Sequence, residues 1–176
     1  DALPLAINVS LGMYAGAHDG TSTLEAGFDA MTGIGREPGC VIIKSAGNAR
    51  DLKGHARIVA SHAIVPIEWE SVSSPRGQDY FEAWFDGLDN IEFSLTGPDG
   101  RTSKLVSFDR PKERAELGNS DCVLSLIRGH SDNGDHCLTI TITPKSGPIQ
   151  DGVWRLETLG RNLRSQQPTV NIWVER

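Results

Sequence analysis

The most constraining feature of the sequence is the apolar run Cys40-Val41-Ile42-Ile43, which ends in Lys44-Ser45-Ala46-Gly47-Asn48. Four consecutive apolar residues, three of them β-branched, predict a strand buried on both faces of a parallel sheet, because a half-exposed strand would alternate in polarity. Open α/β sheets bind their ligands at the carboxyl ends of such strands. Asn48, just beyond the strand, is therefore a candidate site residue.

A second strand and a helix are predicted before this run. Residues 5–9 are mostly apolar and lead into Ser10-Leu11-Gly12. Ser22 and Glu25 have the spacing of a capping box, which predicts the start of a helix that a following pair of glycines closes. Residues 5–48 thus predict a β-α-β unit whose two strands are parallel and end at the same edge of the sheet.

From about Gly54 onward, the sequence consists of short strand-like runs separated by turn signals. The runs lie at residues 55–69, 80–85, 91–95, 123–127, 138–142, 153–159 and 170–174. This pattern predicts an antiparallel β-sandwich with jelly-roll topology. The predicted fold class is α/β plus all-β: a partial parallel-sheet β-α-β segment at 1–58, followed by the jelly-roll-like sandwich at 59–176. The division falls between Asn48 and Ala63.

The charge and hydropathy of the chain argue against two classes of partner. A net charge of −6 and a pI near 5.3, with no clustered basic face, argue against a nucleic-acid partner and an anionic membrane surface. No segment approaches the roughly 18 apolar residues of a membrane span, and no signal-peptide pattern is present. The compartment stays open. Because the chain starts one step before a predicted strand, we expect it to be part of a longer protein.

The cysteines do not predict a metal site or cofactor. Cys40, Cys122 and Cys137 are widely spaced and form no C-x-x-C pair. Cys122 and Cys137 could form a disulfide if they faced each other on a hairpin. The alternative is that they are buried free thiols, since cysteine packs as a small apolar residue.

The two strand ends carry the most specific motifs. Ser10-Leu11-Gly12 and Ala46-Gly47-Asn48, with the capped helix between them, resemble the subtilisin-like serine peptidases, or subtilases. The segment His18-Asp19-Gly20-Thr21-Ser22 is most similar to subtilases that carry a jelly-roll domain, including those related to the clostridial germination proteases. The resemblance covers about residues 5 to 62. It is looser over the sandwich, where it depends on the strand pattern and Gly152-Val153-Trp154.

The resemblance implies a role for each of these residues in peptide hydrolysis through an acyl-serine intermediate. Asn48 would donate a hydrogen bond to the developing oxyanion, which stabilises such transition states by roughly 3 to 4 kcal/mol. An extended peptide substrate would lie along Ser10, Leu11 and Gly12, and Ala46 and Gly47 would line the opposite wall of the specificity pocket. The alternative is structural: the glycines form tight strand exits and Asn48 caps a turn.

The sequence also departs from the family pattern. The Asp-Ser/Thr-Gly and His-Gly-Thr-His motifs are absent, and Gly20-Thr21-Ser22 precedes the Ala-Gly-Asn motif, whereas the family's nucleophile follows it. Ser22 is better explained as a helix cap. We therefore expect this chain alone to be inactive, with the remainder of the catalytic domain as its partner. The competing interpretation is a non-catalytic pseudo-protease, or a sandwich that binds carbohydrate or protein.

Three further groups of residues are assigned structural roles, each with a functional alternative. His55 and His62 flank a predicted strand without a carboxylate at a telling spacing, so packing is favoured over general-base chemistry. The segment from His130 to His136 could ligate a metal, but Asn133-Gly134 is a strong hairpin-turn signal. The four tryptophans are expected to pack in the sandwich, and an exposed pair would instead suggest sugar stacking.

Overall fold

The computed structural model describes residues 3–33, 35, 38–47, 50–72 and 74–175 of the chain. A small α/β segment comes first and a larger all-β region follows. The elements are β1 Leu5–Val9, α1 Thr23–Thr32, β2 Cys40–Lys44, the short 3₁₀ helix Arg50–Leu52, β3 His55–Val59, β4 Val65–Ser71, β5 Asp79–Phe85, β6 Asn90–Thr96, β7 Lys112–Leu117, β8 Ser120–Ile127, β9 His136–Pro144, β10 Gly152–Asn162 and β11 Thr169–Glu175. None of the helices in these ranges has the length and hydrophobicity that a bilayer crossing requires.

The first two strands are parallel neighbours, as the sequence predicts. Leu5 lies opposite Cys40 and Val9 lies opposite Lys44, so both strands end at the same edge. Helix α1 lies between them in the chain and starts with the predicted capping box of Ser22 and Glu25. Capping satisfies backbone N–H groups that have no partner within the first helical turn.

The prediction that these strands are buried on both faces is wrong for the described chain. Val41 is 49% exposed and Ile43 is 56% exposed, and Leu5 on the neighbouring strand is exposed as well. A two-stranded sheet with one helix beside it cannot cover two faces. The apolar composition of β2 is therefore suited to more neighbours than the described residues provide.

Residues 55–175 form two packed antiparallel sheets, in agreement with the predicted sandwich. One sheet has the strand order β4-β10-β6 and the other has the order β3-β11-β5-β9-β8-β7. Alternation places one side of each strand in the core: Trp154 and Leu156 of β10 are buried, whereas Val153 and Arg155 are exposed. The jelly-roll topology stays a prediction.

Two details of the strand assignment differ from the sequence prediction. Residues 55–69, expected as one extended stretch, divide into β3 and β4, which belong to different sheets. Strand β7 was not among the predicted runs. It is an edge strand whose charged residues give it little apolar alternation, and such charges protect an exposed sheet edge from pairing with other chains.

The three cysteines are free, which decides between the two alternatives for Cys122 and Cys137. Cys122 lies opposite Ile142, and Cys137 lies opposite Ile127, so the two thiols are at different levels of the β8–β9 pair. Burial raises the pKa of Cys122 to about 12, and burial also raises the pKa of Cys137. Both therefore act as small core residues.

The alternation along β10 gives a direct test of the sandwich core. Leu156→Ala should lower the free energy of unfolding by about 2–5 kcal/mol, because it leaves a cavity between the sheets. Val153→Ala, on the exposed side of the same strand, should cost less than about 1 kcal/mol. Urea denaturation followed by tryptophan fluorescence measures both. Equal losses would contradict the assignment of the inner face.

Candidate functional site

A cleft of about 370 Å³ lies at the carboxyl ends of β1 and β2. Three parts of the α/β segment line it: the loop after β1, the first turns of α1 and the end of β2. Its lining residues there are Met13, Tyr14, Ala15, Gly16, His18, Ser22, Leu24, Glu25, Phe28, Lys44, Ser45 and Ala46. The sandwich contributes Trp173. The cleft is therefore built by both regions of the chain.

Hydrogen bonds fix the segment after β1 to the end of β2. The Ser45 backbone N–H donates to the Val9 carbonyl (3.1 Å), and the Ser45 hydroxyl donates to the Leu11 carbonyl (3.2 Å). The Lys44 ammonium also donates to the Leu11 carbonyl, and it donates to the Ser45 carbonyl at 3.1 Å. The two strand exits are thereby held side by side.

The structure places the described members of the predicted site at this one edge. Ala46 lines the cleft, and Gly47 adopts a φ of 81° that favours glycine. A Cβ atom on Gly47 would lie 3.3 Å from the Tyr14 hydroxyl, so a side chain there would crowd the cleft wall.

On the opposite exit, Ser10 donates to the Asn8 side chain (3.3 Å), and Leu11 is largely exposed. The space around Gly12 is open, with no atom within 4 Å of where its Cβ would be. This segment is accessible to a ligand. Asn48, the predicted oxyanion donor, lies outside the described residues.

Two glutamates of the sandwich hold the loop that forms the cleft wall. Glu82 on β5 accepts a hydrogen bond from the Gly16 backbone N–H (2.7 Å), and Glu175 on β11 accepts one from the Tyr14 backbone N–H (2.9 Å). Tyr80 and Trp84 also donate to Glu82, each at 2.8 Å. Burial, together with the hydrogen bond that Tyr80 donates to Glu82, raises the pKa of Tyr80. The Tyr80 hydroxyl therefore stays protonated and remains a donor.

Trp173 joins the loop to the sandwich through ring stacking. Its ring centroid lies 3.9 Å from that of His18 in the loop and 3.8 Å from that of His55 on β3. Its indole N–H is buried and has no hydrogen-bond partner among the described residues. The sequence predicted Trp173 as a packing residue, and nothing in the local pattern indicated that it would reach the cleft.

The segment from His130 to His136 forms the predicted hairpin connection between β8 and β9. Gly134 has a φ of 82°, and its N–H donates to the His130 carbonyl at 2.8 Å. Asn133 donates to Asp19 in the loop after β1 (3.0 Å), so this connection is a second contact between sandwich and loop. Across the described ranges, no group of three or more His, Cys, Asp or Glu side chains has the arrangement of a metal site.

The remaining candidates have structural contacts. His55 stacks on Trp173, and a ring nitrogen of His62 lies 3.0 Å from the Gly160 carbonyl oxygen. Trp154 and Trp84 are buried, and Trp69 packs against Trp154 with the ring planes 8° apart. The described tryptophans therefore provide packing and offer no exposed pair for a sugar ring.

Comparison with known proteins gives a structural likeness and no sequence relative. No family model matches the chain, and no curated protein matches it. Among solved structures, the chain is similar to the Clostridium perfringens CspB protease with a TM-score of 0.80 and 20% sequence identity. The match covers 97% of this chain and 35% of that one. The fold described here is therefore also present in a protease, as part of a chain nearly three times as long.

The hairpin connection predicts a pH dependence of stability. His136 is buried against Phe85 and Phe108, and its Nδ1 accepts a hydrogen bond from the Gly129 N–H (2.9 Å). Burial, with the nearby Arg128 charge, lowers the pKa of His136 below its ordinary 6.5. At pH values between the folded-state pKa and the ordinary value of 6.5, the unfolded chain binds more protons than the folded chain. The free energy of unfolding therefore decreases as the pH falls below about 6.5.

Chemical denaturation between about pH 7 and pH 5 measures this loss. His136→Gln should reduce the slope of unfolding free energy against pH in that window. The control variant Val153→Ala, which removes no titratable group, should keep the slope of the parent. If His136→Gln keeps the parent slope as well, His136 is not the group that titrates.

Proposed function

We propose that this chain is a segment of a subtilisin-like serine endopeptidase that hydrolyses peptide bonds through an acyl-serine intermediate. The observation that carries the proposal is the convergence of Ser10-Leu11-Gly12 and Ser45-Ala46-Gly47 at one sheet edge, beside an accessible cleft. The structural likeness to a protease supports it. Within this proposal, the all-β region is a jelly-roll-like domain that follows the catalytic segment.

The proposed chemistry gives the two strand exits different roles. The backbone of an extended peptide lies along Ser10, Leu11 and Gly12, where the structure leaves open space. Ala46 and Gly47 form the opposite wall, and small residues there keep the pocket open. The Asn48 side chain donates to the carbonyl oxygen as negative charge develops on it, which selectively stabilises the transition state.

The remainder of the catalytic domain is the proposed partner of the α/β segment, and it supplies the nucleophile, the base and the orienting carboxylate. Two observations support this: β1 and β2 expose apolar side chains, and the chain spans 35% of the length of the CspB protease. We place the domain border between residues 48 and 63, as the sequence predicts. Because β3 pairs with β11 of the sandwich, we favour a border in the earlier part of this range, before β3.

The exposed face of β2 allows a test of this partner. In the complete protein, Ile43→Glu should lower the free energy of unfolding by more than about 3 kcal/mol, because an unpaired charge would be buried. In the isolated chain, where Ile43 is 56% exposed, the same change should cost less than about 1 kcal/mol. Thermal denaturation of both forms measures this difference.

Val153→Glu is the matched control, because Val153 is a 52% exposed β-branched residue on the sandwich. It should have a small effect in both forms. An equally small effect of Ile43→Glu in the complete protein would contradict the proposal that this face is covered.

Asn48 provides the test of the mechanism. In the complete protein, Asn48→Ala should reduce kcat roughly 100- to 1000-fold with little change in KM, because the donor acts on the transition state. Asn119→Ala, in a sandwich turn, should leave both constants unchanged. Steady-state hydrolysis of a chromogenic peptide measures them, and the isolated chain should show no hydrolysis.

An unchanged kcat for Asn48→Ala would remove Asn48 from the mechanism. If the complete protein hydrolyses no peptide and reacts with no fluorophosphonate, the proposed function fails. The non-catalytic alternative, a pseudo-protease or a binding module, would then take its place.

A further inference from the structure

One wall of the cleft comes from the sandwich and not from the α/β segment. Trp173 lies on β11, which the sequence separates from the strand exits by more than a hundred residues, yet it lines the same cleft as Ala46. Its ring is stacked with His18 and His55. The indole is thereby fixed in position on the cleft surface.

The charged groups at the cleft already have partners within the chain. The Lys44 ammonium donates to the Leu11 and Ser45 carbonyls. The Glu25 carboxylate is engaged by the N–H and hydroxyl of Ser22 in the capping box. What remains for a ligand is mainly apolar surface, which is formed by Met13, Ala15, Leu24, Phe28, Ala46 and Trp173.

We infer that Trp173 determines substrate specificity, and that the cleft accepts a bulky uncharged apolar side chain of the peptide. This rests on the proposed function. A charged side chain would have to leave water for a mainly apolar surface whose Lys44 and Glu25 groups are already hydrogen-bonded within the chain, which costs free energy. A small side chain would leave much of the apolar surface without contacts, so substrates with Leu, Met or Phe in the cleft are preferred to those with Ala or Asp.

The wall can select by size because it is held rigidly. Glu82 and Glu175 fix the loop backbone at Gly16 and Tyr14, and the stacked imidazoles fix the indole. A wall that cannot relax penalises side chains that fit badly. Differences of a methylene or more in such pockets change kcat/KM by roughly 10- to 200-fold.

Hydrolysis of a peptide series by the complete protein tests the inference. One position at a time is varied among Ala, Leu, Phe, Trp and Asp, and kcat/KM is measured for each peptide. The parent should prefer Leu or Phe to Asp at one position. Trp173→Ala should shift the ratio of Trp to Leu peptides in favour of Trp by roughly 10- to 200-fold, because it widens the cleft. Ala46→Leu, on the opposite wall, should shift that ratio the other way.

Trp69→Phe is the matched control, because Trp69 packs against Phe81 and Trp154 inside the sandwich. It should leave the ratio unchanged. If Trp173→Ala lowers kcat/KM by the same factor for every peptide, Trp173 has a structural role and the inference is overturned.

A binding measurement separates this inference from the proposed function. If the complete protein hydrolyses no peptide and reacts with no fluorophosphonate, the proposed function fails, and the same peptides are titrated while the Trp173 indole N–H resonance is followed by NMR. Movement of that resonance with Leu and Phe peptides and not with the Asp peptide supports an apolar cleft bounded by Trp173. An unmoved resonance with every peptide overturns it.

Discussion

The position of the loop after β1 depends on strand β5, because one face of this strand packs in the core and the other carries polar side chains. Phe81, Ala83 and Phe85 are buried between the two sheets of the sandwich. Alternation then places Tyr80, Glu82 and Trp84 on the opposite face of the six-stranded sheet, where they form a hydrogen-bonded group. The core therefore fixes the position of a polar group that it does not contain. The loop after β1 is held by that group.

This arrangement explains how a loop without regular secondary structure can shape a cleft. Residues 10–20 lie between β1 and α1 and belong to neither. Ordering them costs conformational entropy, and the regular hydrogen bonds of a helix or strand do not offset that cost. Glu82 and Glu175 accept from two backbone N–H groups of the loop, and bonds to charged acceptors are stronger than those between neutral groups. Stacking of His18 on Trp173 adds a third attachment.

Local sequence patterns predict the individual elements around the cleft, but they do not predict the long-range contacts that bring these elements together. The capping box at Ser22, the parallel strands and the hairpin connection at Asn133 follow from spacings of a few residues, and the structure confirms them. The Gly16–Glu82 bond joins residues 66 apart, and no periodicity indicates such a pair. The sequence pattern does not indicate strand β7, because an edge strand can carry charged residues on both faces. The oxyanion role of Asn48 stays a prediction.

The exposed apolar residues of β1 and β2 and the fixed loop lead to different conclusions about the α/β segment. The strand faces have too few neighbours among the described residues for their apolar composition. The loop after β1, in contrast, already has its contacts with the sandwich in this chain. The sandwich therefore holds the loop backbone and the Trp173 wall through contacts within this chain. A ligand would then meet a cleft with one preformed side, which lowers the entropy cost of binding.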